Sequence, residues 1–275
     1  LDALDVVARA TGPTSHSAVY GINLLLAVPM FFFFIKHGGS RALKAALWIG
    51  LAITLYNVTL TNTRATMLLA ALVVLLCGLR GLYRFTPAGL VAAAIAGAAM
   101  LPLVPEAVWN RVLDPANYTV RQSATLRIRF EYWEAGLAVI RDHWATGVGV
   151  GNQSEVPRYI KVSGPEQTTV HNDYIQTAME VGVFGWLLFY GFVTWMLVAA
   201  VRAGGRALSD STPLLHADFF GAVQIAMVAT LVYAVQVDVF HFPLKGWWLL
   251  AGLTWAAWRQ RVELDLQAPA KTQEV

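Results

Sequence analysis

The sequence predicts an all-α protein, a polytopic transmembrane helical bundle of about seven spans with one large extracytoplasmic loop containing an amphipathic helix. Three observations predict it. Of the 275 residues, 57% are hydrophobic and 13% charged, about half the charge of an ordinary soluble domain, and the mean hydropathy is +0.53. The apolar residues fall in runs long enough to cross a bilayer. Lys and Arg are sorted between the loops that join those runs. So little charge excludes a soluble enzyme and a disordered chain. The single cysteine, Cys77, lies inside an apolar run. It supports neither a disulfide framework nor a cysteine metal cluster. A dispersed net charge of +3 gives no nucleic-acid footprint.

A crossing helix needs roughly 20 predominantly apolar residues. Such segments fall near 18–35, 45–60, 65–79, 87–104, 178–201, 217–237 and 244–258, without an internal repeat. Lys36, Arg41 and Lys44 follow the first span, and Arg80 and Arg84 the third. Arg202 and Arg206 follow the fifth, and Arg259, Arg261 and Lys271 the last. If every segment crosses once, all ten lie on one side, against Arg64 and Lys245 alone in the opposite short loops. The positive-inside rule makes the first side cytoplasmic. The expected divisions are 1–104 (spans 1–4), 105–177 (the large extracytoplasmic loop), 178–261 (spans 5–7) and 262–275 (a cytoplasmic tail). The chain begins with Leu and no signal peptide precedes its first run, so a piece of a longer protein is expected.

The large loop has nearly balanced charge and no low-complexity stretch, which predicts a folded element. Its residues 123–143 have helical periodicity, with Leu126, Phe130, Trp133, Leu137 and Ile140 on one stripe and Ser123 as N-cap. A helix of this kind lies at the membrane interface, aromatic face down. Arg129 borders the stripe and Arg127 points away from it. Arg129 then either snorkels to solvent or meets phosphates at headgroup depth.

Next comes G-V-G-V-G-N, Gly147 to Asn152. A nucleotide fingerprint needs a strand before and a helix after it. An amphipathic helix precedes this run, so it reads as a tight turn whose backbone can approach other elements. In V-H-N-D-Y-I-Q-T-A-M-E-V-G, Asn172 or Asp173 can cap the fifth span. A helix N-terminus there suits an anion. His171 could hold a phosphate oxygen, take a proton from a hydroxyl, or bond a loop carbonyl. Glu180, an ionisable residue farther into the span, is a functional or pairing candidate. Arg64, opening the third span in T-N-T-R-A-T-M-L-L against the charge sorting, asks for an anionic partner: Glu180 or a ligand phosphate. Asp238 and His241, three apart after the sixth span, lack a third metal ligand and read as a capped helix end.

Three blocks in this order, T-N-T-R-A-T-M-L-L, then R-F-E-Y-W-E-A-G-L-A-V-I-R-D-H-W-A-T-G-V-G-V-G-N, then H-N-D-Y-I-Q-T-A-M-E-V-G-V-F-G, resemble the O-antigen ligase and polysaccharide polymerase family of bacterial membrane glycosyltransferases. The resemblance covers about 55–200, the family's catalytic half. Members are longer, with further spans before the first one here, and the family's usual Pro after the second block's His is Trp144. The resemblance implies a polyprenyl-diphosphate-linked glycan donor at the outer face of the bacterial inner membrane, no nucleotide or other cofactor, and no metal. The acceptor is a glycan, a lipid A core or a protein, for a ligase, a repeat-unit polymerase or a protein O-oligosaccharyltransferase. It also implies roles. Arg64 and Arg129 form a cationic clamp on the leaving diphosphate. His171 binds the diphosphate or acts as base. Arg127 is a reserve for Arg129, Asn172 and Glu180 orient the site, and Gly149 and Gly151 belong to its substrate-binding part. From another class, a transporter or flippase subunit would use Arg64 and Glu180 as a translocation pair. Transporter sites lie near the bilayer midplane on broken helices, whereas these polar residues gather at the outer boundary.

Overall fold

The computed structural model describes residues 9–14, 16–84, 86, 87, 89, 91, 95, 98, 101–113, 115, 124–152, 159, 170–205, 216–240 and 245–267. Half of the fourth expected span, 87–104, lies outside these residues, as do Ser123 and His241. The described residues form α-helices and short 3-10 turns, without a strand. The helices are α1 (Ser17–His37), α2 (Arg41–Leu60), α3 (Arg64–Leu79), α4 (Glu106–Leu113), α5 (Ala124–Asp142), α6 (Asp173–Gly205), α7 (Ala217–Tyr233) and α8 (Lys245–Gln267). Ser17–His37, Arg41–Leu60 and Asp173–Gly204 are long and apolar enough to cross a membrane, and Arg64–Leu79 and Ala217–Tyr233 are apolar but shorter. The protein is a membrane protein, all-helical among the described residues.

Two helices form the centre. α7 is apolar all round and buries Phe219, Phe220, Val223, Ile225, Ala226, Met227 and Tyr233 on every side, as a helix enclosed by others must. α1 is its partner, burying Val19, Ile22, Leu25, Val28 and Phe33. α1 packs against α2, α3, α7 and α8, and α6 covers α7 and α8. Pro29 inside α1 removes one backbone donor, which membrane helices tolerate where neighbours enclose them. α2, in contrast, buries only Leu51 and Val58 and leaves Ile49 and Ile53 exposed on an apolar outer face. Ser40 sets its start by accepting the Leu43 N–H at 3.1 Å.

α6 begins at Asp173, five residues before the expected span, and is broken at Gly182 (φ 69°, ψ 178°). Its short first limb forms a second core with α5, from Tyr132, Ala135, Val139, Val170 and Met179. The stripe expected on α5 and the side that packs on protein coincide only in part. The helical period is present, but the side packed on protein runs through Ile128, Tyr132, Ala135 and Val139. Phe130 and Leu137, from the expected stripe, are 44% and 56% exposed. Trp133 and Ile140 pack at the edge of the protein-facing side. The helix is apolar on two sides, and a stripe read from spacing alone cannot say which side meets protein.

Candidate functional site

One end of the bundle gathers the start of α1, the α2–α3 turn, the end of α7, the start of α6 and one turn of α5. Local chemistry fixes each. Arg64 opens α3 after Thr61-Asn62-Thr63, where Asn62 adopts a left-handed conformation (φ 47°). Asn tolerates this conformation better than most residues. The next turn of α3 is pinned by a buried hydrogen bond between Thr66 and Tyr233, 2.5 Å. There α1 approaches so closely that a Cβ on Gly21 would sit 2.4 Å from Thr66 Cγ2.

His171 precedes α6, also left-handed (φ 54°). Among the described residues, Asn62 and His171 are the non-glycine positions with positive φ. Strain of this kind is held by its surroundings. Asn172 caps α6, its Oδ1 accepting the Tyr174 and Ile175 N–H groups at 3.1 and 3.2 Å. Asp173 is fully buried and ties three elements together. Its N–H donates to the Ala234 carbonyl at 2.8 Å, and its carboxylate accepts from Tyr190 Oη at 2.6 Å and the Phe240 N–H at 3.0 Å. The segment after α7, which carries Gln236 and Asp238, is thereby locked to the start of α6. Trp133 Nε1 on α5 donates to the Val170 carbonyl at 3.1 Å, fixing α5 beside His171.

Arg129 turns inward from α5. Its Nη1 donates to Gln236 Oε1 at 3.5 Å, while its buried Nε has no hydrogen-bond partner among the described residues. Burial and the Arg64 charge weaken the hold of this guanidinium on its proton, and Tyr233 and Asp238 strengthen it, with a net downward effect. Such a group stays charged regardless. His171 Nδ1 stands 4.0 Å from Asp238 Oδ2, a buried carboxylate. Burial, then Arg129, then His16 hold His171 down at about 4. His16, ahead of α1, is likewise lowered by burial, Arg9 and Arg129. Arg64, Arg129, His171 and His16 are thus electrostatic neighbours, with Asp238 among them.

The other residues singled out in the sequence lie as follows. Arg127 is exposed and pairs with Glu131 at 3.8 Å. Glu180 is buried in the first limb of α6, and its Oε1 accepts from Gln176 Nε2 at 2.6 Å. The glycine turn docks against that limb: Val148 N–H donates to the Met179 carbonyl and Gly149 N–H to the Glu180 carbonyl, both 2.9 Å. Gly149 and Gly151 are exposed at positive φ. The close approach belongs to Gly147, where a Cβ would lie 2.4 Å from the Glu180 carbonyl. Nothing in the sequence marks Asp173 as an anchor, and Asp238 reads there as a helix end rather than a neighbour of His171. The D-x-x-x-x-x-x-x-x-x-x-x-x-x-x-x-x-Y spacing to Tyr190 is no motif, whereas a lone acid after an apolar helix was a usable signal for Asp238.

An open apolar groove of about 350 Å³ runs between α3 and the end of α7, lined by Leu68, Leu69, Leu72, Val232, Tyr233 and Val235 among others. Its lining includes Ala65, next to Arg64, and Gln236, the Arg129 acceptor. Cations close to an apolar groove can receive an amphiphilic anion. A comparison with curated proteins finds no match. A family model described as O-antigen ligase matches residues 46–190, more than half of the chain and the stretch holding Arg64, Arg129, His171, Asn172 and Glu180. The chain belongs to the O-antigen ligase family of glycosyltransferase-like membrane enzymes.

Proposed function

We propose that the protein transfers a glycan from a polyprenyl-diphosphate donor to an acceptor hydroxyl at the outer face of the bacterial inner membrane. In this reading about seven spans carry the site, and 105–177 is the periplasmic loop. The observation that carries it is the grouping of Arg64, Arg129 and His171 as electrostatic neighbours beside an apolar groove.

The diphosphate binds Arg64 and Arg129, whose forked donors suit phosphate oxygens, and the first isoprene units enter the α3–α7 groove. The acceptor oxygen bonds to the anomeric carbon, the bond from that carbon to the phosphate oxygen breaks, and polyprenyl diphosphate leaves with the electron pair. The guanidiniums stabilise the charge that develops on it. The hydroxyl proton passes to His171 Nε2. In the free protein Arg129 opposes protonation of His171. A bound diphosphate neutralises that opposition, and Asp238 then favours the imidazolium. His171 is thus readied as a base by the donor itself. Asn172 sets the start of α6, and Glu180 with the glycine turn supports it from behind.

The experiment is transfer by the purified protein from a polyprenyl-diphosphate glycan to a panel of lipid A core, glycan and peptide acceptors. Arg129→Ala and His171→Ala are each expected to reduce transfer by about 10²-fold or more. Unchanged rates in both would overturn the assignment. The preferred acceptor distinguishes ligase, polymerase and protein O-oligosaccharyltransferase.

A further inference from the structure

The opposite ends of α1 and α7 carry a second cluster. α1 has 21 residues, so this cluster lies about 30 Å along the bundle from His16. His37 closes α1, His216 precedes α7 as its N-cap, and Asp218 stands in the first turn of α7. His37 Nε2 lies 2.8 Å and His216 Nδ1 3.5 Å from the same oxygen, Asp218 Oδ2. The two imidazole centroids are 4.3 Å apart. One ligand atom from each of the three residues falls within 4.8 Å of the others. Lys36 Nζ also lies 2.7 Å from Asp218 Oδ2, and it donates to the Gly81 carbonyl at 2.8 Å.

We propose that this cluster is a binding site for a divalent transition-metal ion of the zinc class, which replaces the Lys36 ammonium at Asp218 and joins α1 to α7. Two imidazoles and one carboxylate, all partly accessible, form the three-ligand set that such ions take with water in the remaining position. Nitrogen ligands select against Mg²⁺ and Ca²⁺, which prefer oxygen. The exchange is balanced. The His37 proton moves to Nδ1, freeing Nε2 for the metal. His216 Nδ1 gives up the Asp218 N–H, accepted at 3.1 Å, and that first-turn amide returns to water. Lys36 stays protonated and keeps the Gly81 carbonyl.

The test uses the full chain without a histidine tag, in nanodiscs, titrated with Zn²⁺ by calorimetry and with Co²⁺ by absorption. One ion per chain, a raised Tm, and no equivalent effect of Mg²⁺ are expected. His216→Ala and Asp218→Asn should each weaken binding about tenfold or more. Lys36→Ala should tighten it, because a competing cation is gone, and this variant retains all three ligands. Transfer activity without added metal should be unchanged in Lys36→Ala. Absence of stoichiometric binding, undiminished affinity in His216→Ala and Asp218→Asn, or unaltered affinity in Lys36→Ala would overturn the proposal.

Discussion

His171 Nδ1 stands 4.0 Å from Asp238 Oδ2, joining the residue before α6 to the segment that follows α7. The carboxylate is buried and the imidazole is held at about 4 by burial and by Arg129. The imidazole we propose as base therefore stands near a carboxylate that can stabilise its protonated form. Asp238→Asn is expected to lower kcat by roughly 10- to 1000-fold with a small change in KM, and to move the acid limb of the kcat profile to lower pH. A raised KM with unchanged kcat would place Asp238 in donor binding instead.

The same imidazole makes stability depend on pH. In the unfolded chain a histidine titrates near 6.5, and in the folded protein His171 titrates at about 4. Between those values the unfolded chain takes up a proton that the native state refuses. Stability present at pH 7 is consequently lost as pH falls from 6.5 toward 4, by up to about 1.4 kcal/mol per unit. His16, lowered for similar reasons, acts in the same direction. Thermal unfolding in detergent between pH 7 and 5 should show this slope, and His171→Gln should reduce it without removing it.

Arg64 and Arg129 are electrostatic neighbours on different helices, so their losses should not add. Arg64→Ala and Arg129→Ala are each expected to reduce transfer by about 10² to 10³, and the double variant by less than the product. Arg129→Lys keeps the charge but not the planar fork and should recover only a minor part. Full recovery by lysine would mean that charge alone suffices. The measurement is kcat/KM for all four variants.

Gly147 and Gly182 meet backbone to backbone. A Cβ on Gly182 would sit 2.4 Å from the Ala145 carbonyl oxygen, and one on Gly147 would sit 2.6 Å from the Gly182 nitrogen. Gly182 also adopts a conformation reserved for glycine. Gly182→Ala should cost at least about 3 kcal/mol, whereas Gly191→Ala, with open space around its Cβ, should be close to neutral. Comparing the two Tm values checks the pair.

The helical character of the fold is legible in the sequence because long apolar runs and helix caps act locally. The start of α2 follows from Ser40, and Asn172 as a cap follows from its place before an apolar run. The face of α5 was not legible, since both of its apolar sides have helical spacing and only the short limb of α6 decides between them. The break at Gly182 depends on the docked glycine turn more than thirty residues upstream. Asp173 is similarly hidden: its partners Tyr190 and Phe240 are 17 and 67 residues away. Arg64, in contrast, stands out in the sequence because it defies the charge sorting.

We propose that Arg64 and Arg129 together hold a lipid diphosphate beside the α3–α7 groove. Equilibrium binding of polyprenyl diphosphate, without a glycan, to the protein in nanodiscs tests it most directly. The prediction is a loss of roughly 10- to 100-fold in Kd for each of Arg64→Ala and Arg129→Ala, with no loss for Arg141→Ala, an exposed arginine on the same helix as Arg129. Equal affinity across all three variants and the unaltered protein would contradict it.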